Sequence, residues 1–183
     1  MRSALFRVCS VVWIVIGVAP STAFAYEQGV HIEITENAFT QVFVARDFLA
    51  DLGITATQVI NNNSNHLSAQ EWVIAGSNHE DDICPPCFPP RSSYHFFDPT
   101  NGQGLNGVFL GVPYSYAAAP DWAADATYNP LNSIQGARQS MFLALTSTDS
   151  IVRDKAWANT FQAVGQFTHL LQDTDGVWRL HEL

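Results

Sequence analysis

The chain has 183 residues, 47 % of them apolar and only 14 % charged, which gives one domain a buried core and excludes a disordered chain. Its formal net charge of −9 leaves no basic footprint for a nucleic-acid backbone or an anionic membrane, which argues against a non-catalytic nucleic-acid binder. A phosphodiesterase stays possible, because a bound divalent ion reverses the local potential at its own site.

Arg2 and Arg7 make a positive start, Val8 to Val18 an apolar run, and Ala23-Phe24-Ala25 a small-x-small cleavage site. Residues 1–25 are therefore expected to be a signal peptide, and residues 26–183 a mature domain that is secreted or periplasmic. The run is too short for a comfortable membrane span, no later segment is apolar enough for one, and Cys9 lies at the start of the run, where no lipid would be attached. From His31 to Leu52 the positions Ile34, Ala38, Val42, Ala45, Leu49 and Leu52 recur at spacings of three and four. They predict one inward helical face, ended by Gly53, with His31 on the same stripe. A second helix is expected from Leu67 to Asn78. Ile83 to Pro120 is rich in Pro, Gly, Asn and Ser and reads as a long loop, packed down by aromatic residues such as Tyr94, Phe96 and Tyr116. Its Cys84-Pro-Pro-Cys87 reads as a local disulfide staple. There is no second cysteine pair for a zinc knuckle, and the Phe-Pro-Pro that follows does not start a helix. Helicity resumes from Leu131 to Leu145, with Ile134, Ala137, Met141 and Leu145 in phase. A last helix runs from Ser150 to Asp173, N-capped by Asp149 or Ser150, with Trp157, Phe161, Val164, Thr168 and Leu171 as its inward stripe. With no strand pattern and no repeat, the expected class is all-α.

Four features carry chemistry. His169-Leu-Leu-Gln-Asp173 places an imidazole and a carboxylate one helical turn apart, where they can share a metal ion, and Gly165 one turn earlier leaves room beside them. The same pattern also occurs as a surface pair. Gly76-Ser77-Asn78-His79-Glu80-Asp81 closes a helix and is either a source of ligands or a solvated acidic end. His95-Phe96-Phe97-Asp98-Pro99 lies in the loop and is either a ligand segment or a simple turn. Cleavage after Ala25 makes Tyr26 the new N-terminus. An α-amino group with a pKa of about 7.7–8.0 gives up its proton readily to a metal, and with the carbonyl of the same residue it closes a five-membered chelate just upstream of His31.

In this order the four features resemble the zinc-dependent phospholipase C and S1/P1 nuclease superfamily. Its pattern is an N-terminal aromatic residue, a nearby His, Gly-Ser-x-x-x-Asp, His-Phe-Tyr/Trp-Asp-Pro, and His-x-x-x-Asp on a later helix. The resemblance covers residues 26 to 173 and implies a helical bundle with zinc as cofactor. It implies one zinc on Asp81, His95, His169 and Asp173, and a second on the Tyr26 amine and carbonyl, His31 and the other oxygen of a bridging Asp173. It also implies that Asp81 positions or deprotonates the attacking water. The implied activity is hydrolysis of a phospholipid or other phosphodiester; the acidic charge, not the resemblance, argues against a stable nucleic-acid partner. The short spacing from Tyr26 to His31 matches the nuclease branch, so single-strand nuclease activity is the nearest alternative.

The pattern breaks after Asp173. Relatives continue to Pro-x-His and then to His-x-x-x-Glu/Asp, which bind a third zinc. Here Val177 and Arg179 stand where Pro and His are expected, and His181 comes two residues late. The expected domain is therefore C-terminally truncated, with the last helices missing, and a catalytically inactive zinc-binding domain is a further alternative.

Overall fold

The structure, a computed structural model, describes residues 28–180 apart from 42, 56, 64, 83–88 and 110, and only the backbone of 43–46 and 174–180. The expected signal peptide (1–25), Tyr26, Cys84, Cys87 and His181 lie outside the described residues.

The architecture is mostly helical: α1 (Gln28–Gln41), α2 (Phe43–Asp51), α3 (Ala69–His79), α4 (Ala119–Ala124), α5 (Ile134–Thr146) and α6 (Ser150–Leu180). Two small antiparallel hairpins add to this: β1 (Ile60–Asn62) with β2 (Asn65–Leu67), and β3 (Asn106–Phe109) with β4 (Val112–Ser115). The expectation of no strands is thus corrected, since the long loop holds a hairpin and a short helix. The turns explain both hairpins. Asn63 and Gly111 take positive φ, the conformation a tight reversal needs and one that Asn and Gly adopt most easily. Among the described residues, no helix is long and apolar enough to cross a membrane.

Local chemistry sets the helix ends. Gly53 at φ +71° stops α2, with the Ile54 N–H bonding back to the Leu49 carbonyl. Ser68 and Glu71 form a reciprocal capping box that opens α3. Ser133 caps α5 through the Gly136 N–H, and Asp149 accepts from the Ile151 and Val152 N–H groups to open α6.

Helix α6 is the central rod, with α3 along one side and α5 along another. Glycines decide how close α3 comes. A Cβ on Gly165 would lie 1.9 Å from the Val73 carbonyl oxygen, and one on Gly76 would lie 2.0 Å from that of Gln162. Gly165 therefore serves helix contact, not clearance around a ligand, which corrects its sequence reading. The main core joins Trp72 and Val73 of α3 to Trp157 and Phe161 of α6, with Leu49, Ile54 and Ile60 closing one end. The Trp72 indole donates to the Ile60 carbonyl at 3.0 Å, fastening the first hairpin to α3.

Three predicted stripes need correction. On α1 the buried residues are His31 and Thr35, with Phe39 partly buried, whereas Ile34 and Ala38 face solvent. On α6 Trp157 and Phe161 are buried as expected, but Val164 and Leu171 are exposed, and Gln166, His169 and Asp173 are buried instead. On α5 the predicted Leu145 is exposed, and Ala144 is buried beside it instead. Both α1 and α6 turn polar faces towards one shared interior.

Candidate metal centre

That interior is the site. Asp81 follows directly on the last turn of α3, where the chain is still helical at Glu80. His95 ends a single turn of 3-10 helix (Arg91–Tyr94) in the loop. His31 comes from α1, and His169 and Asp173 from successive turns of α6. The structure brings these five predicted residues together; the sixth, Tyr26, is outside the described residues.

Asp173 is the hub. Its Oδ1 lies 3.3 Å from His31 Nε2, and its Oδ2 lies 2.7 Å from His95 Nδ1 and 3.3 Å from His169 Nε2. Asp81 faces the same two rings from the other side, with Oδ1 3.6 Å from His95 Nδ1 and Oδ2 3.5 Å from His169 Nε2. The His31 and His169 rings stack at 3.9 Å between centroids. Two overlapping sets of ligand atoms result, His31/His169/Asp173 and Asp81/His95/His169, each with its atoms within 4.8 Å of one another and able to hold a metal ion.

The distances fit an ion better than a hydrogen-bond network. A four-coordinate ion with bonds of about 2.0–2.1 Å separates its ligand atoms by roughly 3.3–3.4 Å. Four of the five contacts lie at 3.3–3.6 Å, too long for good hydrogen bonds. Only the 2.7 Å contact of His95 with Asp173 has hydrogen-bond length and must open to admit an ion. Both ring nitrogens of buried His169, and Nε2 of His95, have no hydrogen-bond partner. Buried polar atoms left in that state are costly, and an ion would satisfy the ones that face it.

Electrostatics point the same way. Burial works against charge on His169, but Asp173 and Asp81 outweigh it and push the imidazole up to about 9. Burial likewise opposes ionisation of Asp173 and Asp81, yet the surrounding imidazoles hold both carboxyls below the ordinary range. His95 is raised despite its burial by Asp173 and Glu80. Without an ion, protons take the place of the cation that this many carboxylates require.

No family model, curated protein or solved structure matches the chain. Its chemistry therefore rests on its own residues, including several that sequence reasoning passed over. Glu80, grouped there with a solvated helix end, is fully buried. It accepts from the Arg91 guanidinium and from the Trp122 indole at 2.9 Å, and its Oε1 lies 3.7 Å from His95 Nε2. Burial alone would raise its carboxyl, but His95, Arg91 and Trp122 hold it below the usual value. Arg91 also reaches Gln166 at 3.1 Å and lies over the Trp122 ring. Glu80 thus sets a buried negative charge behind His95, on the Nε2 side of the ring, while its hydrogen bonds go to Arg91 and Trp122. His79 and Asp82, by contrast, are half exposed and pair with each other, the solvated end that was the plainer reading. Asp98 accepts from Thr100 and Asn101 within its own turn and is no ligand.

A second chain of bonds fixes His31. The Gln172 amide donates to Thr35 Oγ1 at 3.0 Å, and Thr35 donates to Ser77 Oγ at 3.0 Å. The amide oxygen of Gln172 is then the atom facing His31 Nδ1 at 2.7 Å, so it accepts the Nδ1 proton, and Nε2 is the ring nitrogen turned to Asp173. The available clue was spacing: Gln172 is three residues after His169, and Thr35 four after His31, each on the ligand face of its helix.

Proposed function

We propose that this protein is a secreted zinc-dependent phosphodiesterase of the phospholipase C type, acting on the phosphate ester of a lipid head group. The observation that carries the reading is the position of Asp173, one carboxylate between three imidazoles, with one oxygen turned to His31 and the other to His95 and His169. Three imidazoles with two carboxylates suit zinc, whereas magnesium and calcium favour sites made of oxygen alone.

Asp81, His95, His169 and Asp173 would hold one zinc ion. His31 and the second oxygen of Asp173 would hold another, completed by the Tyr26 amine and carbonyl once the signal peptide is removed. Bound zinc lowers the pKa of water towards neutrality and offsets the charge that grows on a phosphate during in-line displacement. The rest falls to the chain. Asp81 is the most accessible member of the set, its side chain 22 % exposed against 10 % or less for the others. It is the group placed to meet incoming water, orient it and accept its proton. Glu80 places a negative charge behind His95, and Gln172 holds His31 turned towards the ion through Nδ1.

The test is direct. The purified protein is expected to hold zinc by elemental analysis, to hydrolyse dispersed phosphatidylcholine, and to lose both properties in Asp173→Asn. Cleavage of single-stranded DNA in place of phosphatidylcholine would transfer the site to the nuclease reading. Bound zinc with no turnover of either substrate would leave a zinc-binding domain without catalysis.

A further inference from the structure

The β3–β4 hairpin is not used by the metal centre. Its register pairs Phe109 with Val112 and Val108 with Pro113. Side chains alternate across a strand, so the Phe109 pair lies on one face and the Val108 pair on the other. Both faces are bare: Val108 is 68 % exposed, Phe109 64 % and Val112 66 %. A two-stranded hairpin gains nothing in water from hydrocarbon on both faces.

Charge narrows the choice of occupant. The chain carries a net −9, yet no charged residue and no histidine occurs between Asp98 and Asp121, the stretch that contains the whole hairpin. A flat protein partner would cover one face of the tip, whereas immersion in hydrocarbon covers both. The base has an interfacial character. The partly exposed Tyr114 and Tyr116 stack on each other as a short belt of amphipathic rings behind the apolar tip, and Tyr116 meets Tyr94, which anchors them on the buried Trp122 at 3.9 Å. The base is also tied to the ligand segment. The Ala119 N–H donates to the Phe96 carbonyl, one residue past His95, and a Cβ on Gly104 would lie 2.6 Å from the carbonyl oxygens of Tyr116 and Ala117.

We propose that the β3–β4 hairpin is a wedge that inserts Val108, Phe109 and Val112 into the interface of a zwitterionic lipid bilayer and seats the protein there by its tyrosine belt. The surface stands on the hairpin alone; its use in presenting a lipid head group to the metal centre rests on the proposed function. Insertion depends on apolar area and not on salt, and anionic lipid opposes it because of the negative chain.

The experiment uses the full chain, treated with EDTA, and vesicles of phosphatidylcholine with or without phosphatidylserine. In Phe109→Trp the added indole should shift its emission to the blue on mixing with phosphatidylcholine vesicles and be quenched by lipids brominated on the acyl chain. Phe109→Asp should weaken partitioning about tenfold, as expected for trading one buried aromatic for a charge, while Phe142→Asp, 70 % exposed on α5, should not. Comparing variants keeps the apolar run from Val8 to Val18 out of the result. An indole at 109 that neither shifts nor is quenched, or equal partitioning of the two aspartate variants, would overturn the wedge. So would a lipid-free dimer, detected by sedimentation, that Phe109→Asp dissolves. Hydrolysis of a water-soluble phosphodiester reports on the metal centre separately, so either proposal can fail while the other stands.

Discussion

The two halves of α6 solve opposite problems with one helix. From Ala156 to Ala163 it packs Trp157 and Phe161 against Trp72 and Val73 in a dry core. From Gly165 to Asp173 it buries Gln166, His169 and Asp173, groups that water would otherwise solvate. The first half supplies stability through apolar area. The second spends part of that stability to hold carboxylates and imidazoles together, which is favourable only while a metal ion or protons on the imidazoles balance the carboxylates. The lesson is that a buried helix face need not be an apolar one when its neighbours share the same charge chemistry.

The sharpest way to separate the halves is Trp157→Ala. It should destabilise the protein by about 3–5 kcal/mol in urea titration while the zinc content per folded molecule stays the same. Gly165→Ala should blur the distinction. Its methyl group would meet backbone on α3, so a loss of about 3 kcal/mol should come with weakened metal binding, because α3 positions Asp81. Glu80→Gln belongs to the polar half alone. It should lower zinc affinity by roughly 10–100-fold in a chelator competition, with a smaller effect on unfolding.

The last prediction concerns pH and the metal-stripped protein. His169 is raised from 6.5 to about 9 on folding, so its contribution is complete below pH 6.5 and is lost as pH rises through 9. Asp173 is lowered from 3.8, so its contribution is complete above that value and is lost as pH falls. Thermal unfolding in EDTA should therefore show a decline in stability between pH 6.5 and 9. Asp173→Asn should flatten that decline, and Trp157→Ala should lower the whole curve without changing its shape.

The same division explains what was legible in the sequence. The apolar half of α6 announced itself by period: Trp157 and Phe161 recur at four and are buried. So did the punctuation, with Gly53 ending α2 and Asp149 opening α6, since caps are local chemistry. The ligand types could be listed because His and Asp at four-residue spacing are visible without a structure. The polar half could not be oriented. Thr35 on α1, and Gln166, His169 and Asp173 on α6, look the same in a string whether they face solvent or a shared interior, whereas His31 is turned inward by its place on the apolar stripe and is buried. Hydrophobic period therefore placed Ile34, Val164 and Leu171 inside. Glu80 and Asp82 flank Asp81 in one acidic run, and only the path of the chain turns one inward and the other out. The β3–β4 hairpin was hidden for another reason: strands of four residues give too short an alternation to stand out from a Gly- and Pro-rich loop.

Trp122 carries a consequence of its own. Its indole N–H ends on Glu80, its ring is stacked on Tyr94, and the Arg91 guanidinium lies over its face. An excited indole redistributes charge along its ring, so its emission responds to the carboxylate and the cation that hold it. Glu80 in turn stands behind His95, and a change in that ring passes to Trp122 within two contacts. One of the five tryptophans is thereby wired as an optical gauge of the site, readable in the unlabelled protein as ligand atoms are filled or emptied.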